Sequence, residues 1–239
     1  LVAPWAAELV RHPRILNPVE DLLGPDILVW TTNLLAKRPG HPEYVSWHSD
    51  ANYWGLEPHE VCTAWVALSP STKESGCVRV LPGSHRRSDS EHRDTFDAAN
   101  MLTRGQELVC DIDEEEAVNI ELDPGQISLH HVRLYHGSEP NRSEARRVGI
   151  AIRYMSANVR KIGRPESATL VRGTDRNGHF QLEPKPDGDF TKAARIAHNR
   201  AIRRQVINNN APSGSEDLQT RIRLLADRAF ITTALDIAW

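Results

Sequence analysis

The chain has 239 residues, a formal net charge of −3, 26% charged and 39% hydrophobic residues, which is enough for one sizeable core in an ordinary globular protein. Its basic residues are scattered and provide no positive field for nucleic acid, and no apolar run approaches the roughly 18 residues of a membrane-spanning helix. Cys62, Cys77 and Cys110 are odd in number and lack ligand spacing, so neither a disulfide framework nor a zinc knuckle is expected, and a reducing cytoplasm fits best.

Residues 1–10 lack the basic start and cleavage site of a signal peptide, and the absence of an initiator methionine reads as a start inside a longer protein. Leu9, Leu16, Leu22 and Leu23 recur at helical spacing, so residues 1–23 are expected to form one or two packing helices. The β-rich run 27–35 reads as a strand stopped by Lys37-Arg38-Pro39-Gly40. Tyr44-Val45-Ser46-Trp47 then leads, as a second strand, into His48-Ser49-Asp50, after which Asn52, Gly55 and Pro58 break the regularity. Further strands are expected over 61–68, 77–81, 118–122, 126–131 and 147–155, with turns at Pro82-Gly83-Ser84, Asp123-Pro124-Gly125 and Glu139-Pro140-Asn141. Short strands punctuated in this way suggest a sandwich or jelly roll. The charged stretches 88–97 and 113–116 read as solvated loops, with a substrate lid as the alternative, and 170–180 reads as a covering loop after the last clear strand. Segments 190–208 and 217–234 have helical spacing and are separated by a polar loop at 208–215. They are expected to pack on the barrel or extend an oligomer interface; the oligomeric state itself is not legible. A single domain over 1–239 is expected, with its β core at about 27–155 and a helical part at about 190–239.

The chemistry concentrates in three places. In an extended strand, ligands at i and i+2 project from one face, so His48 and Asp50 can grip one metal from a single element, and His136, 88 positions after His48, can complete the set. Two imidazoles and one carboxylate on one side of an ion leave the other side open, an arrangement suited to non-haem Fe(II). His130 and His131 compete for the third position, but histidines on a strand are more often packed or hydrogen-bonded than ligating. Arg147, 11 positions after His136, has the planar fork to hold a carboxylate with two parallel hydrogen bonds. It opens an alternating run in which Arg147, Gly149, Ala151, Arg153 and Met155 share one face, an arginine flanked by small residues with room for a ligand. Arg146 would point the other way.

The stretches 45–54, 61–68, 75–85 and 136–147 resemble, in order and spacing, the phytanoyl-CoA dioxygenase family. The resemblance spans about 33–154. It implies a mainly β fold, a double-stranded β-helix of jelly-roll or cupin-like type with flanking N- and C-terminal helices. It also implies Fe(II), 2-oxoglutarate and O2, with His48, Asp50 and His136 as metal ligands. Arg147 would hold the far carboxylate of 2-oxoglutarate, Ser138 would share it, and Asn33 and Trp65 match positions lining the cosubstrate pocket. His136 is preferred to its neighbours because Gly137 and Ser138 follow it, the glycine letting the backbone turn sharply beside the ion. Trp47, Tyr53 and Trp54 cluster about the ligands and are candidates to shape the primary substrate site, with Arg79 and Arg153 as candidate anchors for an acidic group. The expected activity is hydroxylation of an aliphatic C–H in a small organic molecule, because Asp50 is present where related halogenases carry a small residue. Desaturation, cyclisation or epimerisation by the same core is the alternative. A non-redox jelly roll is the rival from another class, and its structural ion would be closed by a fourth protein ligand. Acyl-CoA is not favoured, since no basic patch for nucleotide phosphates is evident, and no nucleic acid or membrane partner is expected.

Overall fold

The computed structural model describes residues 1–88 and 90–209, and side chains up to residue 205. Two helices, α1 (Pro4–Leu9) and α2 (Pro13–Leu23), open the chain, each with proline in its first turn, where the missing N–H is no loss. The long strand β1 (Ile27–Lys37) runs on two residues past its expected end. It is followed by β2 (Val45–His48), the short helix α3 (Ala51–Trp54), β3 (Leu56–Glu57), β4 (Val61–Ala67) and β5 (Val78–Val80). Then come β6 (His92–Asp94), β7 (Gln106–Leu108), β8 (Val118–Ile120), β9 (Ile127–His131), β10 (His136–Ser138) and β11 (Arg147–Ser156). The chain continues through β12 (Arg160–Lys161), β13 (Ser167–Arg172), β14 (Gln181–Leu182) and α4 (Lys192–Asn209). The helix expected at 217–234 and most of the loop at 208–215 lie outside the described residues.

The major sheet has the order β14-β13-β1-β11-β4-β9 and the minor sheet β2-β10-β5-β8, the two walls of a double-stranded β-helix. Directly opposed residues of antiparallel strands share a face. The register Lys37↔Arg147, Asn33↔Ala151, Trp65↔Ala151, Thr63↔Arg153 and Thr63↔His130 therefore places these side chains on one face. The alternate set, Val29, Ala64, Val66, Ile150, Ile152 and Tyr154, packs against Val10, Ile15, Leu16 and Val19 of the N-terminal helices. Tyr154 also donates its buried hydroxyl to the Val10 carbonyl at 3.0 Å. Between the sheets, Trp65, Ala67 and Ala151 meet Val78, Val80 and Ile120. The alternation read in 147–155 thus separates an outer packing face from an inner face that carries the polar groups.

Two segments differ from expectation. Residues 92–94 are a strand paired with β7, and the His92 ring accepts the Ser49 N–H at 3.1 Å. Charge alone had hidden this segment, because Arg93 and Asp94 face solvent while the backbone pairs. Part of the expected covering loop at 170–180 is the end of β13, which extends the major sheet beside β1, and Phe180 is buried in a core cluster with Trp30, Trp54 and Leu56.

Candidate metal centre

β2 ends at His48, and Asp50 has a right-handed helical backbone (φ −71°, ψ −30°) at the start of α3. This corrects the picture of two ligands on one extended strand: the carboxylate reaches the site through a turn, which the Ala51 N–H fastens to the Val132 carbonyl at 3.0 Å. His136 stands opposite His48 across the β2–β10 ladder. Gly137 permits that approach, since a Cβ there would lie 2.9 Å from the Val45 carbonyl oxygen. Gly137 lies within β10 and makes no turn, contrary to the role read from sequence.

Among the described residues, His48, Asp50 and His136 form the one group of three or more His, Cys, Asp or Glu donors within 4.8 Å of one another. His48 Nε2 is 3.6 Å from Asp50 Oδ1, and His136 Nε2 is 3.9 Å from Asp50 Oδ2. Each Nδ1 lies 2.9 Å from a carbonyl oxygen two residues earlier, His48 to Ser46 and His136 to Leu134. A proton on Nδ1 donated to that carbonyl leaves Nε2 as the lone-pair donor, the tautomer a metal needs. Burial by itself would raise the Asp50 carboxyl, but the His48 hydrogen bond and the two imidazoles hold it at about 2. Burial, followed by the neighbouring His48, holds His136 well below its ordinary value. The set is therefore an ionised carboxylate with a neutral His136 imidazole, the protonation state in which these groups coordinate. His130 packs 4.8 Å from the His136 ring but is not in the donor group, and His131 points outward beside His85, 5.9 Å away.

Arg147 is 2% exposed, and its Nε has no hydrogen-bond partner. Its guanidinium sits 5.1 Å over the Trp65 ring. Gly149 makes room for that indole, because a Cβ at this position would fall 2.3 Å from Trp65 Cζ2. An unsatisfied buried guanidinium is costly in a folded protein, so a carboxylate ligand is the fitting complement. Sequence reasoning missed the residue opposite, Lys37, which is fully buried. Its ammonium donates to Ser138 Oγ at 2.6 Å, to the Ser138 carbonyl at 3.2 Å and to the Glu139 carbonyl. With Oγ accepting from Lys37, the Ser138 hydroxyl proton is left to donate elsewhere. Burial, and then repulsion from Arg147, lowers Lys37 to about 7, while burial lowers Arg147 to about 10. The signal for Lys37 was present in the two-residue step from Asn33 through Leu35, but a lysine before Arg-Pro-Gly reads as the end of a strand.

Other expected site residues separate into two groups. Asn33 bonds Arg153 rather than Arg147, Arg153 lies 5.0 Å over the Trp54 ring, and Tyr53 packs edge-on to His92 at 4.9 Å. Trp47 and Arg79 are not brought to the donor set. Adjacent strand residues face opposite ways, so Trp47 turns away from His48, and Arg79 pairs with Gly137 rather than His136. The two stack at 5.4 Å on the outer side of the minor sheet, tied by Glu114 and Glu139.

A jelly roll with two histidines and a carboxylate opening onto an enclosed face that carries an unpaired arginine defines the architecture of a non-haem iron oxygenase. The chain belongs to the phytanoyl-CoA dioxygenase family, whose model matches residues 2–149. It is 32% identical over 158 residues to a probable alpha-ketoglutarate-dependent hypophosphite dioxygenase of Stutzerimonas stutzeri, covering 63% of this chain and 53% of that protein. Against the human peroxisomal phytanoyl-CoA dioxygenase it is 30% identical over 165 residues, covering 65% and 48%. The chain thus spans about half the length of the curated relatives it matches. Among solved structures, the apo form of ThoJ, a non-haem monooxygenase, superposes with a TM-score of 0.77 at 37% identity, covering 95% of this chain and 78% of that one. The non-haem alpha-ketoglutarate-dependent carbocyclase SnoK from nogalamycin biosynthesis gives 0.51 at 27%, covering 77% and 67%.

Proposed function

We propose that the chain acts as one domain, an Fe(II)- and 2-oxoglutarate-dependent dioxygenase that hydroxylates an aliphatic C–H of a small organic molecule. The observation that carries this reading is the combination of the three-donor set with the unsatisfied buried guanidinium of Arg147 on the inner face. When bound, Fe(II), 2-oxoglutarate and O2 supply oxidative decarboxylation to succinate and CO2 coupled to oxidation of the substrate. His48 and His136 present Nε2, and Asp50 adds one negative charge. No fourth donor joins them among the described residues, which favours a catalytic site over a closed structural one. Arg147 and the Ser138 hydroxyl orient the far carboxylate, with Lys37 holding Ser138 in place. Trp65, seated over Gly149 and against Ala151, walls the same end against water.

Asp50 favours hydroxylation, because a carboxylate occupies the position a halide would need. Desaturation, cyclisation or epimerisation by the same residues is the second reading, and the likeness to a carbocyclase favours keeping it. Anaerobic titration with Fe(II) and then 2-oxoglutarate tests the assignment. A weak visible charge-transfer band is expected in the wild type and not in Arg147→Ala. Asp50→Ala is expected to abolish Fe(II)-dependent succinate formation, and full retained activity would sink the ligand assignment.

A further inference from the structure

β11 carries two arginines on its inner face, and only one has a task in the reading above. Arg153 lies six residues beyond Arg147 with Gly149 and Ala151 between them, about 20 Å farther along the strand. A five-carbon diacid anchored at Arg147 is far shorter than that.

Arg153 donates to the neutral amide oxygen of Asn33 and stacks over Trp54 at 5.0 Å. No carboxylate of the described residues comes within ion-pair distance of it. Its Nε is shut from solvent without a partner, and so is the hydroxyl of Thr63, the residue directly opposite it on β4. Side chains so opposed stand about 5 Å apart. Two unpartnered buried polar groups side by side, one of them cationic, suit a ligand that accepts hydrogen bonds from both and brings a negative charge. The metal ligands lie nearby, since the charges of Asp50 and Arg153 act on one another. The subsite also has an entrance. Among the described residues β1 pairs with β13 only through Ile27–Val29, and no other strand covers that side of it farther on; Asn33 is exposed although it shares the inner face.

We infer that Arg153, Thr63 and Asn33 form an anion subsite for the primary substrate, which therefore carries a carboxylate or a comparable oxyanion on a small organic frame. The carboxylate docks on the Arg153 Nε edge and the Thr63 hydroxyl, with Trp54 as the apolar floor, and the rest of the molecule lies toward His48 and Asp50. This deepens the oxygenase reading and rests on it for the role of substrate, but it predicts binding that needs no turnover.

The test uses hexanoate and hexanamide, two probes alike except in charge, titrated calorimetrically into anaerobic protein loaded with Fe(II) and 2-oxoglutarate. Hexanoate is expected to bind about tenfold or more tightly than the amide, as charge-assisted hydrogen bonds imply. The preference is expected to vanish in Arg153→Met and to persist in weakened form in Arg153→Lys, which retains the charge. Equal affinities, no measurable binding of either probe, or a preference that survives Arg153→Met overturns the subsite. Loss of the charge-transfer band in Arg153→Met also overturns it, placing Arg153 with the cosubstrate instead. Absence of the band in the wild type sinks the cofactor reading alone, because the same probe titration on metal-free protein still scores the subsite.

Discussion

Arg147 and Lys37 face one another as two buried cations on paired strands, yet they do different work. The ammonium is fully engaged by Ser138 and Glu139, whereas the guanidinium has a free buried donor. Removing Arg147 should therefore weaken cosubstrate binding directly: Arg147→Met is expected to raise the KM for 2-oxoglutarate by about 100-fold, the scale of lost charge-assisted hydrogen bonds. Lys37→Met should raise it less and also lower stability, because Ser138 loses its orienting donor and two carbonyls lose theirs. Succinate formation at varied 2-oxoglutarate, alongside urea unfolding, separates the two. Gly149→Val tests the wall of the pocket. A Cβ would fall on the Trp65 ring, so a loss of about 1–3 kcal/mol is expected from overpacking, together with a higher KM as the indole is pushed toward the carboxylate site.

At the scale of elements, the N-terminal helices hold the back of the major sheet and contribute nothing to the donor set. Leu16 is 2% exposed at that contact, and Leu16→Ala is expected to cost about 2–5 kcal/mol of stability. The charge-transfer band of folded protein should be unchanged. Elements with a periodic apolar face were legible from the residues alone: α1 and α2, β1, β4, β9 and β11 fall within a few residues of expectation. The strands that escaped, β3, β6, β7, β10, β12, β13 and β14, are short or mixed in polarity. Strand pairing satisfies backbone groups whatever the side chains are, so composition gave no sign of them. The turn that carries Asp50 off its strand was equally hidden, because i+2 spacing is compatible with both an extended and a turning backbone.

For the whole molecule, burial of histidines near the metal donors predicts acid sensitivity. Burial lowers His130 from 6.5 to about 4, so the unfolded chain takes up a proton that the folded one refuses. Its contribution to stability is complete above about pH 6.5 and is lost as pH falls through about 4, with an upper bound on the order of 3 kcal/mol. His136 acts in the same direction. Chemical denaturation of metal-free protein should show stability falling from pH 6.5 to 4, and His130→Gln should flatten part of that slope. No helix among the described residues is long and apolar enough to cross a membrane.

The sequence by itself picked out the three side chains that come together as a His-Asp-His donor set, the arginine buried on the inner face, the alternation of β11 and the family. These depend on residue types at short, regular intervals, which the chain carries locally. Tertiary structure alone decided that Lys37 joins Arg147, that Asn33 serves Arg153, and that Trp47 and Arg79 lie on the far side of the minor sheet. Each of those outcomes depends on cross-strand register between segments up to 120 residues apart. A shift of one residue in register would reverse every face, and no local pattern specifies which residues meet across a sheet.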